Sequence, residues 1–546
     1  MLLKKPIRSE LAVLGVSTFF LTLSNIPFWQ RLYGAVGPDT LFEWLFLGSI
    51  ATAGLVALTL FFGLFARRYV FKPAVTIFLL AAAAAAYFTS EYGAVIDVGM
   101  IRNIVHTDAG ETYDLLTAKL ALYIVALGVL PAAVLSVVPI SYRPLRQELW
   151  LRTKFAALAL PAALLVLFPF TGSAMSLFRE QRVLLHAFVP LNIVGALAFF
   201  GTSSYKHHPA VAKPYGEDAR KAAVWSTRQR KTLTVLVVGE TARAQNFSLI
   251  EYKRETNPLL SKVPDLITFT EVRSCGTATA QSVPCMFSGL GRAGYKPGQE
   301  GLLHILQRAG FSVLWRENQA GCAGVCKGVP TDILRQAGDR KLFELGEALD
   351  ENLISDLDAR LDSLPGDAVV VLHMMGSHGP SYHKRYPPAF ERFQPTCKDS
   401  QFSRCQVAHI VNSYDNTIVY TDYVLAKLID LLAARDSRGT PTAMIYVSDH
   451  GESLGEGNIF LHGLPYMFAP DVQKHVPMLV WLSPKLKEDL SVDTACLQRR
   501  RHQPLSHDNF FHSVLGLLDV QTKVYHPELD FFAACRHPLR PVRFGH

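Results

Sequence analysis

Hydrophobic residues are concentrated in the first third of this 546-residue chain, and this uneven distribution restricts its fold more than any other feature. Each of five apolar stretches approaches the roughly 20 residues that a membrane-spanning helix needs. They lie at about 11–29, 44–66, 74–90, 120–140 and 155–170. The composition is 49% hydrophobic and 18% charged, which excludes an ordinary soluble enzyme. The sequence therefore predicts five N-terminal transmembrane helices followed by a globular domain.

Basic residues between the apolar stretches predict the orientation of the helices. Positive charge is concentrated before the first stretch and after the second and fourth, at Lys4, Lys5, Arg8, Arg67, Arg68, Lys72, Arg143, Arg146, Arg152 and Lys154. The opposite connections carry only Arg31, Arg102 and Lys119. Because positively charged loops stay on the cytoplasmic side, we expect a cytoplasmic N-terminus and, after five crossings, a C-terminal domain outside the cytoplasm.

A sixth apolar stretch, residues 183–200, would return the C-terminal domain to the cytoplasm if it crossed the membrane. All the cysteines lie after this stretch, and an even set confined to one domain suits disulfides formed in an oxidising compartment. Their spacing favours the pairs Cys275–Cys285, Cys322–Cys326 and Cys397–Cys405, which leaves Cys496–Cys535. We therefore interpret 183–200, which His186, Pro190 and Asn192 interrupt, as an interfacial helix.

The chain divides into a transmembrane domain (1–171), a connecting arm (172–230) and a catalytic domain (231–546). In the last part, amphipathic stretches alternate with short apolar runs at 233–238, 311–315, 368–372, 443–447 and 477–482. This alternation predicts an α/β fold with a mostly parallel sheet and helices on both faces. The end of the arm is rich in basic residues, which indicates either a solvated linker or a surface that lies on phosphorylated lipid headgroups.

Three residues that bind metals in many proteins follow two of the apolar runs. Glu240 follows the run 233–238, and Asp449 and His450 follow the run 443–447. Ligand sites of open α/β sheets lie off the carboxyl ends of the strands. Carboxylate and imidazole bind Zn²⁺, and a site with three such ligands keeps a position open for chemistry. A single acid at a strand end is more often a cap or turn residue, but three together favour a metal site.

Thr279 is the candidate nucleophile. It lies in the hydroxyl-rich turn between Cys275 and Cys285, just before a segment that can start a helix and present its N–H groups to a phosphate. A threonine hydroxyl needs a metal or a base before it can attack phosphorus. The alternative is that Thr277 or Thr279 only caps that helix.

Three further side chains are candidates for binding phosphate. His378 and His462 either bind a second metal or the substrate phosphate, or are ordinary loop residues. Lys327, which follows Cys322–Cys326, either neutralises phosphate charge or is simply exposed.

Five segments together resemble the bacterial lipid A phosphoethanolamine transferases, which belong to the alkaline phosphatase/sulfatase-like superfamily: 238–248, 275–288, 376–380, 412–417 and 448–456. The resemblance covers nearly the whole chain, including the five-helix part. It implies a Zn²⁺ site at Glu240, Thr279, Asp449 and His450. It also implies a second metal or the substrate phosphate near His378, His462 and Lys327, and the ethanolamine headgroup near Asn103, Thr107 and Glu111.

The activity that this resemblance implies is transfer of phosphoethanolamine from phosphatidylethanolamine to a lipid A phosphate through a phosphothreonine. The enzyme would be a monomer of the bacterial inner membrane with a periplasmic catalytic domain, in contact with membrane lipids and without a nucleic-acid partner. The product carries less negative charge, which implies resistance to polymyxins and other cationic peptides.

Three alternatives stay open. The first is a membrane-anchored phosphodiesterase or sulfatase-like hydrolase that uses water as the acceptor. The second is a phosphoethanolamine transferase that acts on lipopolysaccharide core sugars. The third is a non-catalytic binding platform, which the intact set of Glu240, Thr279, Asp449 and His450 disfavours.

Overall fold

The computed structural model describes residues 5–106, 112–113, 115–180, 182–206, 213–223, 225, 228, 230–319, 321–337 and 339–536. The chain forms two compact units. The first contains residues 1–101 and 116–202, and the second contains residues 102–115 and 203–546. The domain boundaries at residues 171 and 230 remain predictions from the sequence.

The first unit is built from apolar helices. Four are long and apolar enough to cross a membrane: Leu41–Phe65, Phe71–Tyr92, Ala118–Val137 and Leu145–Met175. They coincide with the last four predicted spans. The other described N-terminal helices are Ser9–Phe19, Ile26–Val36, Val98–His106, Thr171–Glu180 and Leu191–Lys206.

The first predicted span, 11–29, is a bent pair and not one straight helix. The segments Ser9–Ser24 and Ile26–Val36 meet at 60°. At the bend, Asn25 Nδ2 donates to the carbonyl oxygens of Phe20 at 2.8 Å and Val189 at 2.7 Å. The count of candidate spans is therefore four, or five if the bent pair is one span.

The stretch 183–200 contains no helix as long as the candidate spans. The apolar part of its helix extends only from Leu191 to Gly201. This length agrees with the interfacial interpretation, and the position of the helix in a membrane stays a prediction.

An eight-stranded sheet forms the centre of the second unit. Its strands are β1 Leu233–Gly239, β2 Ile267–Arg273, β3 Ser312–Glu317, β4 Thr331–Ile333, β5 Ala368–His373, β6 Thr442–Ser448, β7 His475–Leu482 and β8 Leu505–Ser506. Their order is β8–β2–β7–β6–β1–β5–β3–β4. The strand β7 runs antiparallel to β2 and β6, whereas all other neighbours are parallel. The sheet is therefore mixed, and the predicted parallel order holds everywhere except at β7.

The central strands β1, β5 and β6 are buried along their whole length. Their continuous runs of Val, Ile and Leu are typical of strands that are covered on both faces. The principal described helices around the sheet are Thr279–Met286, Leu302–Arg308, Asn352–Ser355, Leu357–Asp362, Val407–Ser437, Pro484–Leu490, Thr494–Arg499 and His507–Leu517. Because β1, β3, β5 and β6 are parallel, their carboxyl ends meet at one edge, where β7 also begins.

All eight cysteines form disulfides, in the four predicted pairs: Cys275–Cys285, Cys322–Cys326, Cys397–Cys405 and Cys496–Cys535. The first pair closes the turn that carries Thr279. The second closes the loop after β3, so two of the four crosslinks restrain segments at the same edge of the sheet.

Part of the positive charge of the arm is bound to the second unit. Lys221 Nζ donates to Asp367 at 2.6 Å and lies 4.2 Å from the ring centre of Phe311. Arg228 Nη2 donates to the carbonyl oxygen of Asp489 at 3.2 Å. These two cations are therefore not part of a solvated linker, while residues 207–212 of the arm lie outside the described residues.

Candidate active site

Four predicted residues from three separate segments come together at the carboxyl edge of the sheet. Thr279 Oγ1 donates to Glu240 Oε2 at 3.0 Å, and it lies 3.3 Å from His450 Nε2. His450 Nε2 is 3.4 Å from Glu240 Oε1 and 3.3 Å from Asp449 Oδ2. One ligand atom from each of Glu240, Asp449 and His450 lies within 4.8 Å of the other two.

The Thr279 hydroxyl does not cap its helix. The helix Thr279–Met286 has Ala278 at its N-cap, and no side chain bonds there. Thr277 Oγ1 instead donates to the carbonyl oxygen of Leu464 at 2.5 Å. The capping alternative is therefore wrong for both threonines, and the Thr279 hydroxyl points at the acids and the imidazole.

Backbone contacts fix Glu240 and Asp449. Asp449 Oδ1 accepts from the backbone N–H groups of Thr241 at 3.1 Å and His450 at 2.7 Å. Gly376 packs closely against the backbone of Glu240. It has φ +52°, and a Cβ at this position would lie only 2.6 Å from the Glu240 carbonyl oxygen. Glycine is the residue that this positive φ and close approach require.

A buried histidine ties the Thr279 turn to β6. His507 Nδ1 accepts from the backbone N–H of Cys275 at 3.1 Å and lies 3.2 Å from Ser282 Oγ. Its Nε2 donates to the carbonyl oxygen of Ser448 at 2.9 Å. Burial lowers the pKa of His507 to about 4, so the ring stays neutral and keeps one donor and one acceptor nitrogen.

The two carboxyl groups of the cluster are harder to ionise than usual, and its imidazole carries no charge that could compensate theirs. Burial raises the pKa of Glu240 to about 7, and the nearby Asp449 carboxylate adds to this. Burial also raises the pKa of Asp449 to about 7. Burial, followed by the neighbouring His462, lowers the pKa of His450 to about 4, so its imidazole is neutral. Two carboxylates that resist ionisation together and one neutral imidazole are a donor set that a divalent cation would stabilise.

One oxygen atom of Asp449 supports the same interpretation. Asp449 Oδ2 is buried and has no hydrogen-bond partner among the described residues. It lies 3.3 Å from His450 Nε2. The same nitrogen lies 3.3 Å from Thr279 Oγ1 and 3.4 Å from Glu240 Oε1. A buried carboxylate oxygen without a partner is costly, and coordination of a metal would satisfy it. The residues of this cluster therefore fit a bound metal ion.

His378 and His462 lie beside the cluster. The His462 ring centre is 4.3 Å from that of His450 and 5.6 Å from that of His378. Glu452 Oε2 lies 2.8 Å from His462 Nδ1, and Tyr382 donates to Glu452 Oε1 at 2.5 Å. This chain of contacts orients His462 so that its Nε2 is turned away from Glu452.

Of the four remaining predicted residues, the structure describes Lys327 and Asn103. Lys327 is exposed in the turn after Cys322–Cys326. Asn103 Nδ2 lies 3.2 Å from the position that a Cβ on Gly463 would take, directly after His462. Thr107 and Glu111 lie outside the described residues.

Two polar residues at the site carried no signal in the sequence. Gln319, two residues after β3, donates through Nε2 to Glu240 Oε2 at 2.8 Å. Asp350 is buried and accepts from the backbone N–H groups of Met375 and Gly376, each at 2.8 Å, in the loop that leads to His378. Neither Gln319 nor Asp350 is part of a recognisable motif. Glu452, by contrast, lies in the segment Asp449–Glu452, so its position in the sequence could have indicated that it belongs to the site.

Known proteins match both parts of the chain. Residues 232–520 match the family described as Sulfatase, and residues 55–205 match the family described as Phosphoethanolamine transferase EptA/EptB. The chain is 41% identical to phosphoethanolamine transferase EptA of Escherichia coli strain K12, with 98% of each chain covered. It is 33% identical to phosphatidylethanolamine transferase Mcr-1 of Escherichia coli, over 95% of this chain and 96% of that protein.

A solved structure matches both units. The integral membrane protein lipooligosaccharide phosphoethanolamine transferase A (EptA) from Neisseria meningitidis superposes with a TM-score of 0.93 at 34% identity. The match covers 98% of this chain and 100% of that chain.

Proposed function

The chain belongs to the EptA family of phosphoethanolamine transferases, and on this basis we propose that it transfers phosphoethanolamine from phosphatidylethanolamine to a phosphate of lipid A through a phosphothreonine at Thr279. The observation that carries the proposal is the pair of distances from Thr279 Oγ1 to the Glu240 carboxylate, 3.2 and 3.0 Å. A hydroxyl that donates to a buried carboxylate has an acceptor for its proton when it attacks phosphorus.

Two displacements would make up the reaction. In the first, a bond forms between Thr279 Oγ1 and the donor phosphorus, the bond from phosphorus to the glycerol oxygen breaks, and diacylglycerol leaves with a proton. In the second, a phosphate oxygen of lipid A attacks the same phosphorus, the bond to Thr279 Oγ1 breaks, and the proton of the acceptor phosphate passes to Thr279 Oγ1, which restores the hydroxyl. His378 and His462 are beside the cluster and are our candidates to bind the phosphoryl oxygens or to deliver the proton to the leaving group.

We propose that the metal is zinc, held by Glu240, Thr279, Asp449 and His450. Zinc at these residues would lower the pKa of the threonine hydroxyl and stabilise negative charge on the phosphoryl group. Lys327 is proposed to neutralise phosphate charge. Asn103, Thr107 and Glu111 are proposed to contact the ethanolamine headgroup, which the position of Asn103 beside Gly463 supports.

The proposed location is the bacterial inner membrane, with five spans, a cytoplasmic N-terminus and a periplasmic catalytic domain. The four disulfides support an oxidising compartment. We propose that the enzyme works as a monomer. An added amine lowers the negative charge of the lipid A headgroup, so we expect weaker binding of polymyxins and other cationic peptides.

The covalent intermediate is the direct test of the mechanism. Purified protein incubated with phosphatidylethanolamine and no acceptor should gain one phosphoethanolamine group on the peptide that contains Thr279. Thr279→Ala and the isosteric Thr279→Val should form no adduct and transfer nothing while zinc stays bound. Thr279→Ser, which keeps the hydroxyl but loses the methyl that restricts its rotamer, should retain part of the activity. Transfer at the wild-type rate by Thr279→Ala would show that the acceptor attacks the donor directly.

Product analysis decides between the proposed acceptor and its alternatives. Mass spectrometry of lipid A from cells with and without the protein should show one added phosphoethanolamine on a phosphate. Addition to core sugars would identify the core-modifying class. Free phosphoethanolamine without a modified lipid would identify the hydrolase, the alternative that the sulfatase match over residues 232–520 supports.

A further inference from the structure

Two cations stack on one tyrosine next to the Thr279 turn. The Arg292 guanidinium carbon lies 3.4 Å from the ring centre of Tyr466, and Lys474 Nζ lies 5.4 Å from the same centre. Neither cation has an ion-pair partner within 4.0 Å in the part of the chain that the structure describes. We call Arg292, Tyr466 and Lys474 the cation–tyrosine cluster.

The segments that carry Tyr466 and Lys474 contact the Thr279 turn, and Arg292 follows that turn along the chain. Tyr466 lies in the loop after His462, where the backbone N–H of Gly463 donates to the Thr277 carbonyl oxygen at 2.7 Å. The carbonyl oxygen of Lys474 accepts from the backbone N–H of Ser274 at 2.8 Å, at the start of the disulfide-closed turn. Arg292 follows the helix Thr279–Met286 after a short loop. The cluster therefore lies next to the disulfide-closed turn that carries Thr279, on the side of the loop that contains Tyr466.

The balance of charge around Tyr466 is positive. A third cation, Arg273, forms an ion pair with Asp471 and contributes to the positive field at Tyr466 and Lys474. Asp508 accepts from the backbone N–H of Arg292 at 2.7 Å, so it is held by the main chain. The surroundings of Tyr466 therefore contain three cations and two acids, Asp471 and Asp508. Among the described residues, Arg273 is the one of these cations whose side chain forms an ion pair.

The composition of the surface also selects the class of ligand. Arg292 and Met467 are exposed, the latter by 72%, and Tyr466 and Lys474 are partly exposed. A guanidinium and an ammonium suit phosphate oxygens, and a neighbouring aromatic ring and thioether suit sugar or acyl surface. We propose that the cation–tyrosine cluster binds an acceptor phosphate of a phosphorylated glycolipid during the second displacement. This inference rests on the proposed function, because it assigns an acceptor site to the same reaction.

The test separates the two half-reactions. In Arg292→Gln/Lys474→Gln, formation of the Thr279 adduct from phosphatidylethanolamine should proceed at the wild-type rate. The KM for lipid A should rise about tenfold or more, because each lost cation removes a charge-assisted bond to phosphate. Arg499→Gln removes a cation whose side chain is 70% exposed on another helix, and this control should leave both half-reactions unchanged.

A binding measurement does not depend on turnover. In a Thr279→Ala background, detergent-solubilised protein should bind lipid A more tightly than fully dephosphorylated lipid A. The double substitution should abolish that preference. The charge-conserving Arg292→Lys and Lys474→Arg should keep most of it, which distinguishes a lost contact from a misfolded protein.

Three results would overturn the proposal. One is an unchanged KM for lipid A in the double variant, and another is no preference for the phosphorylated lipid in the Thr279→Ala protein. The third is slower adduct formation with an unchanged acceptor step, which would assign the cations to the donor phospholipid. If wild-type protein forms no adduct, the phosphothreonine route fails, while the binding comparison still tests the cluster.

Discussion

Gln319→Leu should weaken zinc binding although Gln319 is not a proposed ligand. Gln319 Nε2 donates to Glu240 Oε2 at 2.8 Å, and the side chain is only 7% exposed. Leucine has a similar volume but no donor. The substitution therefore removes one of the two bonds to Glu240 Oε2 and leaves the one from Thr279 Oγ1, so the carboxylate is held less firmly.

The contact sets the expected magnitude. A hydrogen bond to a charged group contributes about 1.5–3 kcal/mol, which corresponds to roughly 10- to 100-fold in a binding constant. Loss of residues that orient a metal ligand has effects of about the same size. The pKa of Glu240, which burial already raises to about 7, should rise further without the donor. Protons then compete better with the metal at neutral pH, so both effects lower the apparent zinc affinity.

The assay is a zinc titration against a competing chelator at constant pH. Gln307→Leu is the matched control, because the Gln307 side chain makes a single, exposed bond among the described residues, of 3.4 Å to the Gly328 carbonyl oxygen. We expect an increase of about 10- to 100-fold in the dissociation constant for Gln319→Leu and no change for Gln307→Leu. A wild-type affinity in Gln319→Leu would refute the idea that this amide orients Glu240.

Four further predictions concern pH, stability and topology. The pKa values of the buried carboxyls of Glu240 and Asp449 are raised to about 7, so protons compete with zinc for them below that pH. The apparent zinc affinity should therefore rise as the pH increases through about 7. A flat profile between about pH 6 and 8 would contradict this prediction. Asp350→Ala leaves two buried N–H groups without an acceptor and should lower the free energy of unfolding by about 2–6 kcal/mol, which thermal unfolding beside the milder Asp350→Asn will measure. The oxidised protein should contain no free thiol, and reduction of its disulfides should lower stability by about 2–5 kcal/mol each, whereas several reactive thiols would contradict the pairing. A reporter active only outside the cytoplasm should be active after residue 546 and silent near Arg146, and silence at both positions would show that 183–200 crosses the membrane.

The proximity of Glu240, Asp449 and His450 could be predicted because these residues follow the strongest strand patterns in the chain. Glu240 directly follows one buried strand and Asp449 directly follows another, and the parallel pairing of these strands brings their carboxyl ends together. Gln319 has no such signal, since a glutamine after a strand is ordinary. Its contact with Glu240 could be predicted only if the order of the strands, with β3 separated from β1 by β5, were already known. The same holds for Asp350, which lies in a connection and contacts backbone that only the folded loop presents.

Local patterns also failed where tertiary contacts decide the structure. The strand β7 has the same apolar run as its parallel neighbours, so its antiparallel direction could not be predicted from composition. The bend at Asn25 depends on the Val189 carbonyl oxygen, which is distant in sequence. The strands β2, β4 and β8 were missed because they lie toward the edges of the sheet and lack a continuous apolar run.

The order of the strands also determines when the catalytic unit can fold during synthesis. The strand β1 is the first of the sheet to be made, but its partners β5 and β6 are Ala368–His373 and Thr442–Ser448. At about 5–20 residues per second, β1 waits on the order of 10–40 s for the second partner. Both edges of the apolar strand Leu233–Gly239 are unpaired until residue 373 has been made, and one edge stays unpaired until residue 448 follows. We expect the nascent chain to depend on a chaperone in the compartment where it emerges, until residue 448 has been delivered.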